Sequence, residues 1–116
     1  MLRLNVMRIL GLRGIERPYS YLRKHGFVHS TAGNIINNRV LQIRVEQIEQ
    51  LCLLLTCTPN DLFEWREGKG ETIAENHPVQ QLKREQTTQH ISRLVKDLPV
   101  EKLGKLSQMI EDLRNE

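Results

Sequence analysis

Apolar residues along this chain recur at spacings of three and four, and the breaks between runs fall on glycine, proline and asparagine. Leu2, Val6, Ile9 and Leu10 keep the helical spacing, which predicts a first helix closed at Gly14, a residue suited to a left-handed cap. Pro18 opens a second helix, since its missing N–H is not needed in a first turn. Tyr19, Tyr21 and Leu22 are its expected buried side, and Gly26 ends it. Phe27 and Val28 fill a turn, and Ser30 or Val28 precedes a short helix with Ala32, Ile35 and Ile36 on its inward stripe. The Asn37-Asn38 pair closes that helix, because asparagine tolerates the left-handed conformation better than other non-glycine residues.

Val45, Ile48, Leu51, Cys52 and Leu55 make residues 44–55 the most strongly amphipathic helix of the first half. The run Thr58-Pro59-Asn60-Asp61-Leu62 reads as a cap, an N1 proline and a short fifth helix ending near Phe63 and Trp65, both expected to close the core. Residues 67–77 lose the apolar period and gain glycine, so they read as a linker. Beyond Pro78, the residues Val79, Leu82, Ile91, Leu94, Val95 and Leu98 suggest one helix with a polar middle over 83–90. After Pro99 a final helix carries Leu103, Leu106, Met109, Ile110 and Leu113, spaced like a heptad seam. Such a stripe needs a partner, either the main domain or a second chain. The expected organisation is all-α: a domain over 1–66, a linker over 67–77 and a helical tail over 78–116.

Charge sharpens this picture. Net charge is +3 over 116 residues, but residues 1–45 hold eight Lys/Arg against a single acidic residue, Glu16, a local balance of +7, and the remainder carries −4. A basic half ahead of an acidic one is expected where one face meets a polyanion. Cys52 and Cys57 are the only cysteines, too few for a disulfide scaffold and without a second Cys or His pair at metal spacing, so they read as reduced structural thiols. No apolar run reaches signal-peptide or membrane-spanning length, which predicts a cytoplasmic protein. No nucleophile–base–acid set, phosphate-cradling glycine loop or opposed carboxylate pair is present, so an enzyme and a cofactor are not expected. The five aromatics, Tyr19, Tyr21, Phe27, Phe63 and Trp65, look like core or turn residues and make no stacking platform for single strands.

Residues 18–39 therefore read as two short helices joined by a glycine turn, the second led by small polar side chains. That is a helix-turn-helix pattern, which presents one helix to the DNA major groove. Gly26, Ala32, Ile35 and Asn37, followed by the helix leading into Leu51-Cys-Leu-Leu-Leu-Thr-Cys-Thr-Pro-Asn-Asp-Leu62, resemble the Cro and repressor (Xre-type) helix-turn-helix family of phage and bacterial regulators over roughly residues 4–65. Asn38 stands where that family usually has glycine, and Arg39 where it usually has lysine. The Pro18-Tyr…Leu22-Arg-Lys-x-Gly-Phe wording, with Thr58-Pro-Asn-Asp-Leu-Phe-Glu-Trp65 and His77-Pro78, further resembles a compact branch common in Bacteroidetes-like bacteria. The resemblance implies a five-helix domain that binds operator DNA as a two-fold dimer, with the third helix in the major groove. Gly33 inside that helix is a departure, costing about 1 kcal/mol relative to alanine; either the backbone approaches DNA more closely there or the position contributes no direct readout.

Carried onto this chain, the family's contact positions imply that His29, Ser30 and Asn34 face base edges, with Thr31 at the border. Asn34 is the strongest candidate, because a carboxamide accepts from N6 and donates to N7 of adenine. His29 or Ser30 reads a base edge or a phosphate. Asn37 and Arg39 match phosphate-gripping positions, and Arg17 and Arg23 flank helix two, whose first N–H groups can also receive a phosphate. The expectation is a sequence-specific duplex-DNA-binding regulator working as a homodimer, with the tail as dimer or partner element. Its rivals are an antitoxin that represses its own operon and binds a toxin through the tail, and a protein-interaction module that keeps the fold without binding DNA.

Overall fold

A computed structural model describes residues 1–68, 70, 72–84 and 95–116. In chain order the elements are β1 (Leu2–Leu4), α1 (Val6–Leu12), α2 (Pro18–Lys24), α3 (His29–Ile36), α4 (Val45–Leu55), α5 (Pro59–Leu62), β2 (Phe63–Trp65), a 3-10 helix (Pro78–Leu82) and α6 (Val100–Arg114). Helices α1 to α5 surround a core in which Leu10, Leu22, Ala32, Ile35, Leu51, Leu55 and Leu62 are buried. Each of these residues lies on an apolar stripe legible in the sequence.

The first four helices end in the same way. Each is followed by one left-handed residue, at φ 75° for Gly14, 96° for Gly26, 54° for Asn38 and 52° for Thr56. The next backbone N–H then returns to the carbonyl five residues back: Ile15 to Leu10 at 3.0 Å, Phe27 to Leu22 at 3.1 Å, Arg39 to Asn34 at 2.9 Å and Cys57 to Cys52 at 3.1 Å. This Schellman closure satisfies carbonyls that a helix end otherwise strands, and at Ile15, Phe27 and Cys57 it also folds an apolar residue back towards the core. Phe27 and Leu22, so joined, are both buried. The Gly14, Gly26 and Asn38 expectations thus describe the backbone correctly, and Thr56 is a fourth such position held by a β-branched residue.

The N-terminus departs from the helix expected there. Leu2 belongs to β1, which pairs antiparallel with β2 in the register Leu2 to Trp65, Arg3 to Glu64 and Leu4 to Phe63. Asn5 sets the boundary: its side-chain oxygen accepts from the Arg8 N–H at 3.2 Å and caps α1, so residues before it are free to pair with a strand. The same pairing corrects the reading of Phe63 and Trp65, which are half-buried strand residues rather than the end of α5. Between them Glu64 is buried, and its carboxylate accepts from the Asn5 amide and the Arg66 guanidinium.

Two smaller expectations change, and one left open is decided. Tyr19 is 41 % exposed, so Leu22 buries the α2 face, with Tyr21 half-buried against it. Val45 is 80 % exposed; it opens α4 at the position after Arg44, where the Gln47 side chain accepts from the Arg44 backbone N–H at 3.1 Å. Val28, not Ser30, immediately precedes α3, and it is exposed while Phe27 fills the turn.

Past residue 67 the chain returns to the domain. Lys83 pairs with Glu67 at 3.2 Å, and Arg84 donates to the carbonyls of Asn60 at 2.6 Å and Phe63 at 3.1 Å. The helix expected to start at Pro78 is a 3-10 turn closed by Lys83 in extended backbone. Its expected polar middle and the residues Ile91 and Leu94 lie largely outside the described residues. The final helix is present as expected, but none of its residues is buried. Among the described residues, no helix is long and apolar enough to cross a membrane.

Candidate nucleic-acid interface

Helix α3 packs its Ala32 and Ile35 into the core, which turns the intervening positions outward by helical geometry. His29, Ser30 and Asn34 are exposed and Thr31 is half-buried. The inward positions are small or branched, so α3 sits tightly against α2 and α1 and leaves its polar edge on the surface.

The chain beyond α3 builds a wall beside that edge. Asn38 turns the backbone, Val40 and Ile43 pack against the core as two pegs, and between them Leu41 is 97 % exposed with Gln42 also exposed. The result is an open groove of about 360 Å³ lined by Thr31, Asn34 and Arg39 together with residues 40–43 and Gln47. Three of the eight residues expected to touch nucleic acid therefore converge on one surface feature. His29 and Ser30 stand at the other end of α3, Arg17 is the N-cap residue of α2 and Arg23 lies in its last turn. Asn37 is exposed, but its amide already donates to the Gly33 carbonyl at 2.9 Å.

Residues 40–43 and Gln47 went unnoticed in the sequence because they have no period and no charge. The available signal was the alternation of Val40 and Ile43 with Leu41 and Gln42, two apolar anchors with side chains displayed between them.

Electrostatics separate the basic residues into two sets. Arg13 donates to the carbonyls of Leu55 and Thr56, both at 2.9 Å, placing a cation on the C-terminus of α4, where the helix dipole favours it. Arg8 donates to the Asp61 carbonyl at 2.7 Å, and burial, with Arg84 nearby, lowers its pKa from the usual arginine value. Arg3 sits in β1 opposite Glu64. Arg8 and Arg13 thus tie distant segments of the chain together. Arg17, Arg23, Lys24, Arg39 and Arg44 are exposed and form no ion pair among the described residues. The positive potential of the first 45 residues is thus concentrated on α2, its turn and the segment after α3.

Gly33 lies on this helix with nothing within 4 Å of the position a Cβ would occupy. Packing within the chain does not demand glycine there. Cys52 and Cys57 are both free and half-buried, and burial beside Cys52 pushes the Cys57 thiol up to about 11.

Two short helices packed at a glycine turn, an outward polar edge on the second and exposed cations around it are the geometry of a helix-turn-helix. Residues 5–68, just over half of the chain, match the family model of the Cro/C1-type HTH DNA-binding domain. No curated protein and no solved structure matches the chain. The matched span runs from the Asn5 cap of α1 through α5 and β2. The chain belongs to the Cro/C1-type HTH DNA-binding family, and its helical domain is that of a DNA-binding regulator.

Proposed function

We propose that this protein is a sequence-specific, double-stranded-DNA-binding transcriptional regulator, cytoplasmic and bacterial, that acts as a homodimer and reads the major groove with α3. The observation that carries the reading is the convergence of Thr31, Asn34 and Arg39 on one open groove, beside exposed cations that form no ion pair among the described residues. In this reading Asn34 makes the bidentate contact to adenine, worth roughly 1–3 kcal/mol of discrimination. His29 and Ser30 reach base edges or phosphates from the first turn of α3, and Thr31 contributes from the groove wall. Arg39, Arg23 and Arg17 grip phosphates and set the register of α3 without reading sequence. Asn37 has the lesser part, because its N–H is engaged with Gly33.

A dimer places two copies of α3 on half-sites about 34 Å apart. The decisive experiment is selection of bound duplexes from a random pool, followed by titration of the selected site across salt. The expected site has two-fold symmetry with half-sites one helical turn apart. If four to six phosphates are neutralised, affinity falls with a log–log salt slope of about −4 to −5. Absence of any shift on duplex DNA at low salt would overturn the reading in favour of a protein-interaction module.

A second reading is favoured by the exposed apolar stripe of α6. An antitoxin that represses its own operon would use such a stripe to hold a toxin. A toxin-like neighbouring gene whose product forms a stable complex with the full chain would select it.

A further inference from the structure

Leu41 is the most exposed of the large apolar side chains among the described residues, at 97 %. Its surface stays in water, so it adds nothing to the burial that stabilises the fold. Its backbone is nonetheless held. The chain bends at Leu41, and Val40 before it and Ile43 after it pack against the core. A side chain so anchored can be presented to a ligand with little further loss of backbone freedom. Leu41 lines the same groove as Thr31, Asn34 and Arg39, so it continues the DNA-facing edge of α3. Arg39 and Arg44 on either side of it are exposed.

The chemistry of duplex DNA narrows what an apolar side chain can meet there. Phosphates call for the charge and donors that Arg39 and Arg44 carry and leucine lacks. In the major groove an A·T pair displays adenine N7 and N6, thymine O4 and the thymine 5-methyl group, and the methyl is the apolar feature of that edge. The protein groove carries the matching pair of surfaces, the Asn34 carboxamide for the adenine edge and Leu41 for a methyl. We infer that Leu41 is a specificity-determining residue that reads a thymine 5-methyl group beside the adenine read by Asn34, an inference that rests on the reading of DNA by α3 proposed above. Base reading is then shared between the helix and the segment after it, and the preference of the site extends beyond what Asn34 specifies.

Size sets the effect. Removing one methyl group from an apolar contact changes affinity about fourfold, and cytosine presents the same ring position without the methyl, so Leu41 favours thymine over cytosine there. Val45 supplies the comparison. It is also exposed, at 80 %, but it does not line the groove.

The test uses the full chain and the operator selected from the random pool. Each thymine in turn is replaced by deoxyuridine, which removes the 5-methyl group and keeps every hydrogen-bonding edge, and binding is read by fluorescence anisotropy. For the parent, one such replacement beside the adenine read by Asn34 should weaken binding about fourfold. Leu41→Ala should lose that methyl dependence. Leu41→Met, which keeps an apolar side chain of similar reach, should retain it, and so should Val45→Ala. Both positions are exposed, so circular dichroism should show an unchanged fold in all three variants. A selected operator with no thymine beside that adenine, a parent indifferent to every replacement, or an undiminished penalty in Leu41→Ala overturns the role of Leu41 while leaving the reading by α3 intact. A chain that binds no duplex at low salt overturns both.

Discussion

The backbone N–H of Arg39 donates to the carbonyl of Asn34 at 2.9 Å. One hydrogen bond thus joins the residue assigned to base reading and the residue assigned to phosphate gripping. It exists only because Asn38 between them is left-handed, at φ 54°. The glycine that the wider family usually carries at this point and the asparagine found here answer the same backbone requirement.

Asn38→Gly is therefore expected to hold or raise stability by up to about 1 kcal/mol, because it removes left-handed strain and the buried Asn38 side-chain oxygen that has no partner. Asn38→Ala keeps the strain and loses the tolerance of asparagine for it, so it should fold no better than the parent. Thr56→Gly, at φ 52°, should gain about 1 kcal/mol for the same reason. Chemical denaturation of the three variants checks the set, and a destabilised Thr56→Gly would mean that the threonine side chain holds the turn.

Asn34→Ala and Arg39→Ala separate reading from gripping. Losing the carboxamide should cost roughly 1–3 kcal/mol on the selected operator while leaving random-duplex affinity nearly unchanged. Losing the guanidinium should weaken both and reduce the salt slope by about one. Fluorescence anisotropy at several salt concentrations distinguishes the patterns, and an operator preference untouched by Asn34→Ala would refute the site assignment.

Gly33→Ala tests how close α3 comes to DNA. Open space surrounds the position, so alanine should stabilise the free protein by up to about 1 kcal/mol through helix propensity. If the backbone of α3 approaches the groove at that point, operator affinity falls while the melting temperature rises. Unchanged affinity would mean that the position makes no contact.

Arg13→Ala should lower stability by about 1–2 kcal/mol, since two charge-assisted bonds to the end of α4 are lost. Its effect on the salt slope of DNA binding should be nil, unlike that of Arg39→Ala. A slope that changes with Arg13 would place that cation on DNA instead.

Acid should unfold the domain through Glu64 and Asp61. Burial pushes Glu64 up, yet hydrogen bonds from Arg66 and Asn5 outweigh it and hold the carboxyl below its ordinary 4.5. Asp61 is held below its ordinary 3.8 chiefly by the Thr58 backbone N–H and hydroxyl. A depressed carboxyl contributes stability that is present above its unfolded value and is lost as pH falls through the folded one. Thermal melts from pH 7 to pH 2.5 should decline below about pH 4.5, and Glu64→Gln should flatten the decline at the cost of stability at neutral pH.

Local rules decided much of this protein. The stripes of α1 to α4, the proline starts at Pro18 and Pro59, and the closures at Gly14, Gly26 and Asn38 depend on contacts within a few residues, so spacing alone exposes them. The helix-turn-helix was legible for the same reason. What only the tertiary structure decided are pairings across the chain. Leu2–Leu4 has the apolar content of a helix turn, but Phe63–Trp65 lies alongside it and supplies backbone partners that no local pattern announces. Arg8 and Arg13 count as basic surface in the sequence, yet carbonyls 53 and 43 residues away take them out of it. The groove wall at residues 40–43 has no period because it is held by two pegs in a core assembled from other helices. Sequence fixes what a residue prefers beside its neighbours, whereas its partner across the chain follows from which surfaces the folded helices leave to be covered.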